Sequence, residues 1–105
     1  MNVIFQQTYL QELYTQGKCK DKRHRYQPQI TNKYKHIIDL MRVLPNVLHL
    51  TKYGSLHYEH LHGHKEGFSS VRVNNQYRIE FTETIQGDEL IATIVNITEL
   101  SNHYK

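Results

Sequence analysis

The alternation of apolar and polar positions is sharpest over residues 63–81. Val71 and Val73 alternate with polar neighbours, and Tyr77, Ile79 and Phe81 do the same beyond an Asn74-Asn75-Gln76 break. A period of two on both sides of a turn predicts a β-hairpin. A three-residue loop, residues 74–76, sets Val73 opposite Tyr77 and Val71 opposite Ile79. A two-residue loop would put Val71 against Arg78 and spoil the apolar face. Asn75 or Gln76 is then expected in the left-handed backbone region, which Asn tolerates better. The same register predicts Arg72 across from Arg78 on the other face, where like charges repel. Glu80 or Glu99 could neutralise the pair from within the chain; a phosphate could do so from outside.

Elsewhere the period changes. Residues 2–5 suit a short first strand. Tyr9, Leu10, Leu13 and Tyr14 fall on one helical stripe, Thr8 and Gln11 have capping-box spacing with Thr8 as the cap, and Gly17 is a natural stop. From Pro28, the residues Ile30, Tyr34, Ile37, Ile38, Met41 and Leu44 repeat every three or four positions until Pro45, which predicts a second helix with Lys33, Lys35 and Arg42 on its other side. Residues 46–57 have weak periodicity, residues 56–61 suit a strand, Gln86-Gly87-Asp88 a turn, residues 90–97 a central strand, and residues 98–105 a polar tail. A strand, two helices and then a meander predict an α+β domain: two N-terminal helices on one face of a four- to five-stranded, mainly antiparallel sheet, in one domain spanning residues 1–105.

With 105 residues, 38% of them hydrophobic, one core of ordinary size is possible and a second is not. No run of apolar residues is long enough for a membrane span and no secretory leader pattern is present, so the expected location is the cytoplasm. Cys19 is the single cysteine and implies neither a disulfide nor a zinc site. The net charge of +3 conceals an asymmetry: residues 18–35 hold seven Lys and Arg against Asp21 alone, a local +6. That favours a polyanionic partner, nucleic acid before membrane, although a merely solvated surface would have the same composition.

The pattern Leu61-x-Gly63-x-x-x-Gly67-Phe68-Ser69-x-Val71-Arg72-Val73-Asn74-x-x-Tyr77-Arg78-Ile79-x-Phe81, preceded by two helices and followed by an apolar strand, resembles the RelE/ParE superfamily of bacterial toxins and its HigB branch of plasmid maintenance killer proteins. The resemblance implies a RelE-like, microbial-ribonuclease-like fold and cleavage of messenger RNA in the ribosomal decoding site. It also implies no cofactor and no metal, and a co-encoded HigA-like antitoxin, so that the toxin exists as a monomer or a toxin–antitoxin hetero-oligomer. Cleavage by a ribose 2′-hydroxyl needs a base, stabilisation of the phosphorane charge and an acid. By resemblance, Arg78 and Arg72 stabilise the phosphorane, since the guanidinium fork suits phosphate.

The His-Pro-Leu-Lys-Gly run of HigB proteins reads Glu59-His60-Leu61-His62-Gly63 here, and the Asp-Tyr-His tail is replaced by Glu99 with His103 and Tyr104 further on. His62, His103 and Glu99 are therefore the remaining catalytic candidates. His60, Lys65 and Tyr104, the last by stacking on a base, are expected to bind RNA, with Lys20, Lys22, Arg23 and Arg25 facing the ribosome. His60, His62 and His64 would share a face of an extended strand, but they lack the second ligand pair of a diagnostic zinc site. Two other functions fit the same fold: a ParE-like poison of DNA gyrase without ribonuclease activity, and a non-toxic basic RNA-binding domain.

Overall fold

The computed structural model describes residues 1–102. Its elements run β1 (Asn2–Phe5), α1 (Thr8–Gln16), α2 (Pro28–Val43), β2 (Glu59–His60), β3 (Ser69–Arg72), β4 (Tyr77–Thr84) and β5 (Ile94–Asn102), with 3₁₀ turns at Val47–Lys52, Gly54–Leu56 and Gly63–Lys65. The five strands form one sheet in the order β1-β5-β4-β3-β2, antiparallel except for β1, which lies parallel to β5. This is the expected α+β architecture with both helices on one face.

The core follows from the two periods. Leu10 and Leu13 of α1, and Tyr34, Ile38 and Met41 of α2, are at most 1% exposed and meet Val71, Ile79, Phe81, Val95 and Ile97 of the sheet, all fully buried. Burying each such side chain contributes about 1.5–3 kcal/mol. Tyr34 keeps its hydroxyl satisfied by donating to the Leu10 carbonyl at 2.8 Å, which ties α2 to α1. Gly17 ends α1 with φ of 77°, its N–H donating to the Leu13 carbonyl. Pro28 opens α2 at a position where no N–H is needed.

Four expectations are corrected. Thr8 is not the cap of α1: Gln7 holds the extended cap conformation and Thr8 is already helical, with no side-chain capping bond. No residue of the hairpin loop takes a positive φ; among the described non-glycine residues only His57 does. The loop turns instead on the side chain of Asn74, whose Oδ1 accepts from the N–H groups of Gln76 (2.8 Å) and Tyr77 (2.7 Å), the local bonding that suits Asn to turns. The strand expected over residues 56–61 shrinks to Glu59–His60, because residues 54–56 form a 3₁₀ turn and His57 bends the chain. The last strand is displaced: it begins at Ile94 and runs on through Asn102, so residues 98–102 belong to the sheet.

The register of β5 against β4 shifts between Glu80 and Phe81, which face Glu99 and Ile97 respectively, so Thr98 is the extra residue of a bulge. Its hydroxyl donates to the Glu80 carbonyl at 3.1 Å. The bulge keeps Ile97 and Leu100 both in the core despite their odd spacing, and thereby turns Glu99 to the face away from the helices. Among the described residues no helix is long and apolar enough to cross a membrane.

Candidate active site on the helix-free face

The hairpin register is the expected one: Val71 pairs with Ile79 and Arg72 with Arg78, and the Val73 N–H donates to the Tyr77 carbonyl at 2.9 Å. Directly paired residues project to the same face, so the strands lay two polar rows across the side without helices. One row is Arg72, Arg78 and Ser101. The next is Glu59, Ser70, Glu80 and Glu99, one residue from each of four adjacent strands. Two cations therefore lie beside three carboxylates on a rigid sheet.

The neutralisation differs from the expected one. Arg78 donates from Nη1 to Glu59 Oε1 at 2.5 Å, with its side chain only 27% exposed. Glu80 and Glu99 are instead taken by Lys65, whose Nζ lies 3.0 Å from Glu80 Oε1 and 3.7 Å from Glu99 Oε1. The hydrogen bond to Glu80 is the main reason that the Lys65 ammonium titrates above its ordinary range. Glu80 is 7% exposed and needs such a partner, whereas Ser70, 1% exposed in the same row, has no hydrogen-bond partner for its Oγ among the described residues. Arg72 has no carboxylate within ion-pair distance among the described residues; its guanidinium rests on the amide oxygen of Asn75.

Arg72, Arg78, Lys65 and Glu99 are thus brought together. His62 is exposed at the start of the Gly63–Lys65 turn, in the loop that carries Lys65 onto the sheet. His60 is not part of the group. It pairs with Ser69, which shares a face with Phe81; its Nδ1 meets Ser69 Oγ at 3.0 Å, and its ring stands edge-on to Tyr58, so it sits at the sheet edge on the helix side. Because Gly63–Lys65 is a 3₁₀ turn, His60, His62 and His64 do not share a strand face, and no three His, Cys, Asp or Glu side chains converge as metal ligands among the described residues. His103 and Tyr104 lie outside the described residues.

The basic segment forms an ordered loop. The His24 ring stacks on Tyr9 with centroids 3.6 Å apart, and Tyr26 donates to the Leu100 carbonyl at 2.8 Å while standing edge-on to Tyr77. Burial pushes the Tyr26 hydroxyl well above the usual tyrosine range. Arg25 lines a small cavity with Asn74, Gln76 and Tyr77, next to the hairpin tip. Arg23 folds back on Asp21 at 3.1 Å, and Lys20 and Lys22 are exposed. The residue absent from the sequence-based candidates is Glu59. The signal for it was its place where the HigB run carries a histidine, but its contact with Arg78 depends on how the loop after it returns to β3.

Comparison with known proteins gives a consistent picture. Residues 3–96 match the family described as HigB-like toxin, the RelE-like toxin of type II toxin–antitoxin system HigB. No curated protein sequence matches significantly. Among solved structures, the chain superposes on a YoeB/ParE toxin from Agrobacterium tumefaciens with TM-score 0.61 and 15% identity, covering 99% of this chain and 100% of that one. It superposes on a mutant of YafQ from E. coli with TM-score 0.57 and 15% identity, covering 97% and 92%. A Staphylococcus aureus YoeB-YefM complex gives TM-score 0.51 at 18% identity, covering 99% and 98%.

Proposed function

We propose that this chain, which belongs to the HigB-like family of RelE-like toxins of type II toxin–antitoxin systems, is a ribosome-dependent endoribonuclease that cuts messenger RNA and so stops translation. The observation that carries this reading is the juxtaposition of Arg72 and Arg78 with the Glu59 carboxylate on the helix-free face. An RNA phosphate entering there takes the guanidinium forks of both arginines, which removes their mutual repulsion and releases Glu59 from Arg78. Glu59 is then free to accept the proton of the adjacent ribose 2′-hydroxyl. The 2′-oxygen attacks phosphorus, the arginines hold the extra charge of the phosphorane, and the P–O5′ bond breaks to leave a 2′,3′-cyclic phosphate. The departing 5′-oxygen takes a proton from His62 or His103, and Lys65, braced by Glu80 and Glu99, binds the strand. Side chains supply every charge in this sequence, so the reaction proceeds without a metal.

The loop of residues 18–27, with Lys20, Lys22, Arg23 and Arg25, is assigned to ribosomal RNA, and Tyr104 to base stacking. A co-encoded HigA-like antitoxin is the expected partner, as the S. aureus YoeB-YefM complexes pair a toxin of this fold with its antitoxin. Mapping of transcript ends after a short induction tests the reading. Cuts inside translated codons, lost when translation is blocked, are expected. Growth arrest with DNA damage and uncut messenger RNA would select a ParE-like gyrase poison instead.

A further inference from the structure

Arg72 borders a second feature that the cleavage chemistry leaves unused. A cavity of about 470 Å³ opens between α2, the Gly54–Leu56 turn and the hairpin tip, lined by Lys33, Ser55, His57, Arg72, Asn74 and Asn75. Its polar lining consists of cations, an imidazole, a hydroxyl and amides, without an Asp or Glu, whereas the neighbouring row on the sheet holds three carboxylates. The amides are oriented by their own bonds. Asn75 Oδ1 accepts from Arg72, and Asn74 Oδ1 accepts from two backbone N–H groups, which leaves both NH₂ groups as donors. His57 is held at φ 45° and ψ 50°, a left-handed conformation that a non-glycine residue keeps only where its surroundings enforce it. Lys33 is exposed on the polar side of α2 and has no ion pair among the described residues.

A concave site of donors beside an arginine that has no carboxylate partner among the described residues is suited to a phosphodiester. We infer that the cavity between Lys33, His57 and Arg72 is a second phosphate subsite, which binds an RNA phosphodiester next to the one cut at Arg78. Arg72 stands between the two sites and fixes the strand's register across them. The inference rests on the endoribonuclease reading and adds to it where the uncut part of the strand lies.

The test uses ribosomes programmed with a short messenger RNA in which one linkage at a time is a neutral methylphosphonate, cut by the full-length wild-type chain or by Lys33→Gln. Lys33 is exposed, so the substitution leaves the core intact. For the wild type, neutralising one uncut linkage beside the scissile one is expected to lower kcat/KM about tenfold, the effect of one charge-assisted contact. Lys33→Gln is expected to lose a similar factor on the unmodified message through KM, with kcat unchanged, and to become indifferent to that linkage. The same loss in Lys33→Gln with no sensitive linkage in the wild type would assign the bound phosphodiester to ribosomal RNA, and the placement of the messenger strand in the cavity would be overturned. A wild-type KM for Lys33→Gln would overturn the subsite while leaving the endoribonuclease reading in place. A wild-type chain that leaves the unmodified message uncut would remove both.

Discussion

The two faces of the β3–β4 hairpin are built from alternate residues of the same few positions, yet they obey different rules. On the helix side Val71, Ile79 and Phe81 are fully buried, and what matters there is volume and close packing. On the other side Arg72 and Arg78 oppose each other, and the buried Ser70 hydroxyl has no hydrogen-bond partner among the described residues. Charge placement is organised there at a cost to stability. The core face supplies a rigid frame, and that frame holds two like charges side by side, Arg78 braced by Glu59 and Arg72 by the Asn75 amide.

Substitutions on the two faces should therefore separate stability from activity. Phe81→Ala should lower stability by about 3–5 kcal/mol, the cost of a large cavity in a packed core, and chemical denaturation would show it as a large fall in midpoint. Glu59→Gln should lower cleavage by about 10²–10⁴, the usual worth of a positioned base, with an unchanged denaturation midpoint; near-normal cleavage would remove Glu59 from the proton transfer. Tyr34→Phe, which deletes the buried bond to the Leu10 carbonyl, should cost about 1 kcal/mol and leave message cleavage as it was.

The smallest expected effect belongs to Lys65. Its pKa is raised in the folded chain by Glu80, so its contribution is fully present below the unfolded value of 10.5 and is lost as pH rises through the higher folded value. Because the side chain is 48% exposed, solvent screening limits that contribution to about 1 kcal/mol or less. Lys65→Met should accordingly unfold slightly earlier than wild type at pH 7, and the gap should close in strongly alkaline buffer.

Much of the frame was legible in the chain. The alternation around residues 74–76 determines the hairpin register, because a two-residue loop would set an arginine against the core. The stripe from Ile30 to Leu44 likewise leaves α2 no other face to bury. Three features depend on contacts that no local pattern encodes. The parallel pairing of β1 with β5 joins residues more than 90 positions apart. The bulge at Thr98 is foreshadowed only by the spacing of Val95, Ile97 and Leu100. The partner of Arg78 comes from an edge strand of two residues, too short to show a period, whereas Glu80 and Glu99, the carboxylates nearest in the pattern, lie in the same row as Glu59 but serve Lys65. The candidate site was legible as a pair of arginines and not as the carboxylate that holds one of them.

The most direct test of the account compares Arg78→Ala with the wild type after brief induction, with growth, transcript ends and the purified protein's denaturation midpoint followed together. The account predicts a soluble variant of near wild-type stability whose cleavage falls by about 10²–10³, as when one donor to a transition-state oxyanion is removed, and whose growth arrest is relieved. A folded Arg78→Ala protein that still arrests growth and cuts messenger RNA as the wild type does would contradict it.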